Sequence, residues 1–136
     1  MREVFADAGY WIALISPRDN LHERAVSVSK NLGPCRIVTS DMILIEVLNT
    51  FSERGEHLRG AAAQAIAGIL DDPTILVVPQ TRPLLHQAIA LYSSRPDKDW
   101  SLTDCASFLI MTKRKITEAL SHDGHFTQMG YTPLLR

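Results

Sequence analysis

Apolar positions along the chain follow two rhythms: short unbroken runs, and longer stretches in which they recur at helical spacing. The runs predict strands at Glu3–Ala6, Cys35–Thr39, Thr74–Val78 and Thr117–Ser121, with a short fifth at Thr132–Leu135. The stretches predict helices over Ala8–Ile15, His22–Leu32, Asp41 to about Arg54, His57–Leu70, Leu84–Tyr92 and Ser101 to about Lys113. Punctuation falls between them. Pro17 stops the first helix, Asn20 is placed to cap the second, and Gly33-Pro34 closes it. Ser40 is placed to cap the third helix and Gly55 to end it. Asp71-Asp72-Pro73 ends the fourth, Pro83 sits in the first turn of the fifth, and the polar segment Ser93–Trp100 reads as a loop. Strands therefore alternate with helices nearly throughout. That order predicts an α/β fold, a mainly parallel central sheet of four to five strands with helices on both faces. With no internal repeat, low-complexity tract or linker, residues 1–136 read as a single domain.

Composition sharpens this only at a few points. The hydrophobic share of 46% and charged share of 21% are those of an ordinary globule, and no apolar run has the length of a membrane span. The start, Met1-Arg2-Glu3-Val4-Phe5-Ala6-Asp7, lacks the design of a signal peptide. Cys35 and Cys105 form no CxxC and have no metal-ligand spacing, which fits reduced thiols in a cytoplasmic protein. A net charge of −1 argues against a protein that coats nucleic acid by bulk positive charge. It leaves room for a nuclease, whose acids lower the total while cations such as Arg54, Arg59 and Lys113-Arg114-Lys115 act locally.

The candidate chemistry lies in four carboxylates far apart in the chain. Asp7 follows the first strand, Glu46 lies in an apolar helical segment, Asp104 begins the sixth helix, and Asp123 follows the fourth strand. A parallel sheet presents ligands at the carboxyl ends of its strands, so Asp7 and Asp123 fall where a site would form. Each acid also has a plainer explanation. Asp7 could be an N-cap, and Glu46 could share a solvent face with Asn49. Asp104 has capping-box spacing from Ser101, and Asp123-Gly124 is a good turn dipeptide. His122 and His125 bracket that turn, but the chain has no His-x-x-x-His pair or cysteine partner for zinc, and they read as surface or packing residues. Gathered together, four acids repel one another and need a cation, and an all-carboxylate site suits Mg²⁺ or Mn²⁺ better than zinc.

At four segments the chain resembles the PIN domains of toxin ribonucleases, the VapC family. They are Phe5-Ala6-Asp7-Ala8-Gly9-Tyr10-Trp11-Ile12-Ala13-Leu14, Ile45-Glu46-Val47-Leu48-Asn49, Ser101-Leu102-Thr103-Asp104-Cys105-Ala106-Ser107-Phe108, and Ala119-Leu120-Ser121-His122-Asp123-Gly124-His125-Phe126 with Gly130-Tyr131 following. Four motifs in one order, from residue 3 to residue 135, make the resemblance specific. It implies a PIN-like fold and a metal-dependent endoribonuclease in which Asp7, Glu46, Asp104 and Asp123 hold Mg²⁺ or Mn²⁺. Thr103 would assist, and Asp99 is a candidate to assist from further out. It also implies a homodimer and a small antitoxin that blocks the site. Three other readings are a non-toxin RNA-processing nuclease, a non-catalytic RNA- or protein-binding module, and a receiver-type phosphoacceptor domain. The last would need an early pair of adjacent acids and an acid at the end of strand three, where this chain has Val78-Pro79.

Overall fold

A computed structural model describes residues 1–136. Five parallel strands form one sheet: β1 (Glu3–Ala6), β2 (Arg36–Ser40), β3 (Ile75–Val78), β4 (Glu118–Leu120) and β5 (Thr132–Pro133), in the order β3-β2-β1-β4-β5. Seven helices connect them: α1 (Ala8–Ile15), α2 (His22–Asn31), α3 (Asp41–Phe51), α4 (Glu56–Asp71), α5 (Arg82–Ser94), α6 (Leu102–Arg114) and α7 (Gly124–Gln128).

The strand order fixes the layers. From β1 the chain steps outward to β2 and β3, then returns past both to β4. Right-handed crossovers therefore put α1–α4 on one face and α5–α7 on the other. The reversal between β1 and β4 opens a crevice at their carboxyl ends, the place where open α/β sheets bind ligands. The central strand β1 is the most deeply buried, with Val4, Phe5 and Ala6 fully enclosed. Trp11 of α1 closes one side of its end, its indole N–H donating to Thr39 Oγ1 at 3.3 Å, while Thr39 donates to the Ala6 carbonyl at 3.0 Å.

The helix boundaries bear out most of the sequence signals. Ser40 caps α3 by accepting from the Ile43 N–H, and Pro83 lies in the first turn of α5. Gly55, at φ 91°, makes the sharp joint between α3 and α4 that a side chain would strain. Three expectations need correction. Asn20 does not cap α2; Leu21 holds that position, and Asp19 Oδ1 takes the Leu21 N–H at 2.9 Å, so the Asx turn one residue earlier consumes the start signal. The third helix ends at Phe51 rather than near Arg54, where Ser52 turns its N–H and hydroxyl back to the Asn49 carbonyl. The Asp123-Gly124 turn opens the short helix α7, with Asp123 Oδ1 accepting from the His125 N–H at 2.9 Å. Edge strand β5 is only two residues long, and its Pro133 lacks the N–H to extend the ladder.

Candidate metal centre and active site

Backbone register puts Asp7 and Asp123 at one edge, and helices α3 and α6 bring Glu46 and Asp104 within charge range of them. Parallel pairing of Ala6 with Leu120, continued by the Asp7 N–H to the Leu120 carbonyl at 3.2 Å, sets Asp7 beside Ser121. Asp7 stands at the N-terminal boundary of α1, yet its side chain makes no capping hydrogen bond. It accepts instead from Ser121 Oγ at 2.9 Å, and the same hydroxyl takes the Asp123 N–H at 3.0 Å. One serine thus fixes the first and fourth acids relative to each other.

Asp104 does the capping that its spacing predicts. Its Oδ2 accepts the Ser101 N–H at 3.0 Å while Ser101 Oγ accepts the Asp104 N–H at 3.0 Å. The same Oδ2 faces His125 Nδ1 at 2.9 Å. His125 Nδ1 also approaches Asp123 Oδ1 to 3.3 Å, a close contact beside its hydrogen bond to Asp104. Asp104, Asp123 and His125 each present a ligand atom within 4.8 Å of the others. An aromatic stack seats this trio: Phe108 of α6 stands edge-on to Trp100 at 5.1 Å and to Phe126 of α7 at 5.2 Å.

Asp7 and Glu46 stand outside that tight group but act on it through charge. Burial pushes Asp7 up to about 7; the Ser121 hydroxyl and the Ala8 amide oppose this, and Asp104 and Glu46 add repulsion. Glu46 is likewise raised, first by partial burial and then by Asp104 and Asp123. Glu46 faces an open groove of about 520 Å³ with Met42, Ile45, Asn49, Thr50 and Thr103. Thr103 therefore lies at the groove wall next to Asp104. Asp99 is exposed in the loop before α6 and makes no side-chain hydrogen bond.

His125 is the residue that sequence reasoning passed over. Its ring turns onto Asp104 because Asp123 captures the backbone N–H two residues on, an Asx turn that the Asp-Gly-His order permits.

The donor set fits a divalent cation. Burial and the neighbouring acids raise two of its carboxyls, Asp7 through Asp104 and Glu46, and Glu46 through Asp104 and Asp123, and a bound cation would offset that repulsion. The donors are mainly carboxylate oxygens, the choice of hard cations.

An acidic site at the switch point of a five-stranded parallel sheet is the layout of a PIN-like α/β fold. No protein-family model matches the chain. It is 29% identical over 128 residues to the 23S rRNA-specific endonuclease VapC20 of Mycobacterium tuberculosis, in strains CDC 1551 / Oshkosh and ATCC 25618 / H37Rv, across 94% of this chain and 95% of the relative. The crystal structure of M. tuberculosis VapC20, a Sarcin-Ricin loop cleaving toxin, superposes with a TM-score of 0.85 at 27% identity, covering 95% of this chain and 96% of that one. The chain is a homologue of VapC20 and shares its fold over nearly its whole length, as the four motifs led us to expect.

Proposed function

We propose that this protein is a Mg²⁺- or Mn²⁺-dependent endoribonuclease acting in the cytoplasm as the toxin of a toxin–antitoxin pair. The observation that carries the reading is the convergence of Asp7, Glu46, Asp104 and Asp123 on one sheet edge in a homologue of an rRNA endonuclease. Asp7 and Asp104 would be the principal ligands, with Glu46 and Asp123 completing the set. A bound divalent ion would supply charge neutralisation at the phosphoryl group and a water of lowered pKa.

The remaining work belongs to the chain. Ser121 holds the Asp7 carboxylate through its hydroxyl, and the Ser101 cap holds Asp104. His125 bridges Asp104 and Asp123, its Nδ1 2.9 Å from Asp104 Oδ2 and 3.3 Å from Asp123 Oδ1. The groove along α3 offers apolar surface from Met42 and Ile45 beside polar Asn49, Thr50 and Thr103. Such a surface accepts an unpaired base on its face and a backbone along its polar rim, the recognition mode of single-stranded RNA. By the relative's specificity, 23S rRNA at the sarcin–ricin loop is the first substrate to try. An antitoxin segment would act by covering this groove. Exposed Leu70 of α4 and Ile89 and Tyr92 of α5 would supply apolar contacts for a homodimer.

The test is incubation of the purified protein with ribosomes and with the isolated loop RNA in Mg²⁺, Mn²⁺ or EDTA. Internal cleavage that needs the metal supports the reading. Cleavage that persists in EDTA, or none with either metal, counts against it.

A further inference from the structure

The acidic edge raises a problem for any RNA: a phosphate must approach a cluster of carboxylates whose charge one divalent ion only partly cancels. The arginines in the molecule divide by location. Arg2 pairs with Glu118 at 2.8 Å and Arg114 with Glu3 at 2.9 Å, and all four belong to the amino edge of β1 and β4 or the end of α6. Arg95 pairs with Asp97 and stacks over Trp100. Arg136, like Arg18, Arg24, Arg36, Arg54, Arg59 and Arg82, is in no ion pair, and its position beside the site singles it out. The Leu135 N–H donates to the Ser121 carbonyl at 3.1 Å, which brings the chain beyond β5 to the same edge as Asp7 and Asp123. A β-carbon on Gly124 would come within 3.3 Å of Arg136 Nη1, so its guanidinium lies against the turn joining Asp123 to His125. Its side chain is exposed and takes part in none of the molecule's ion pairs. Behind it, Arg24 of α2 donates through Nη2 to the Arg136 carbonyl and fixes that backbone.

We propose that Arg136 is a substrate-binding residue, receiving an RNA phosphate next to the one that faces the acids. This rests on the nuclease reading above and adds where the strand leaves the site: over α7, past β5. A planar guanidinium in no ion pair matches a phosphate by paired N–H donors, and its place against Gly124, the residue after Asp123, would set it beside a phosphate held at the acids. Arg24 positions Arg136 and adds positive potential along the same exit.

The experiment compares wild type, Arg136→Ala and Arg136→Lys on a fluorescent hairpin carrying the 23S sarcin–ricin loop sequence, in Mg²⁺ over a range of KCl. Binding is read by anisotropy and cleavage by initial rates. Arg136→Ala should raise Kd and KM about tenfold with kcat nearly unchanged. The slope of log Kd against log salt should drop by about 0.7, one single-strand phosphate contact, and Arg136→Lys should keep the slope. Thermal melting of the three proteins should coincide, since the side chain is exposed. If wild type cleaves and Arg136→Ala matches it in KM and slope, the phosphate contact is refuted while the nuclease reading stands. If wild type binds with a slope that Arg136→Ala lowers but never cleaves, the contact stands and the nuclease reading falls. If wild type neither binds nor cleaves, both fall.

Discussion

Replacing Asp7 by Asn removes one charge from the centre of the cluster while leaving an oxygen to accept from Ser121 Oγ. An ordinary aspartate titrates near 3.8, and Asp7 in the folded chain is pushed up to about 7. That gap corresponds to about 4 kcal/mol of opposition to the charged form. Below about pH 4 the carboxyl is protonated in both folded and unfolded chains, and its burial carries no ionisation cost. As pH rises toward 7 the unfolded chain releases the proton and the folded chain keeps it. Metal-free stability should therefore fall by about 1.4 kcal/mol per pH unit through this window, and the full cost is present above it. Asp7→Asn has nothing to titrate. In EDTA, urea unfolding of the two proteins at pH 4 and pH 8 should show their stability difference change by roughly 4 kcal/mol in the variant's favour. Millimolar Mn²⁺ should stabilise the wild type at pH 8 and do little for the variant. Parallel pH–stability curves for the two proteins would refute the claim that Asp7 is a buried carboxylate held among like charges.

Three further outcomes follow from the same geometry. His125→Ala removes the ring that bonds Asp104 and approaches Asp123, so in EDTA it should lower stability by about 1–3 kcal/mol, and Mn²⁺ should recover much of the loss; an equal loss with and without metal would contradict that role. Glu118→Gln breaks an exposed pair at the opposite edge of the sheet and should cost under about 1 kcal/mol in chemical denaturation with cleavage unchanged. Light scattering at micromolar concentration should report a dimer that Tyr92→Glu converts to monomer; a monomeric wild type would remove the proposed interface.

Much of the fold was legible because parallel strands buried on both faces write themselves as continuous apolar runs. Val4-Phe5-Ala6 and Ile37-Val38 announce strands without regard to partners, and the helices between them leave little choice but a parallel sheet. Short elements escaped. The five residues of α7 are too few for any periodicity, and α7 forms because Asp123 caps it and Phe126 is buried against Phe108. The acids were individually ambiguous for a physical reason: the Asp104 cap is real, and the same carboxylate faces the site. Asp7 resolves the other way, since its side chain does no capping at all. His125 could not be found from spacing alone, because its part depends on a contact with Asp104 across 21 residues of chain.

The most direct measurement of the central claim is cleavage by Asp104→Ala set beside its melting curve. Losing the cap should cost about 1 kcal/mol, leaving a folded protein. Losing a principal ligand should lower Mn²⁺-dependent RNA cleavage on the order of 10²-fold or more. A folded, inactive Asp104→Ala that binds Mn²⁺ weakly in calorimetry is the predicted result. A folded Asp104→Ala that cleaves RNA with undiminished metal dependence would show that Asp104 serves only the helix, and that the metal centre lies elsewhere.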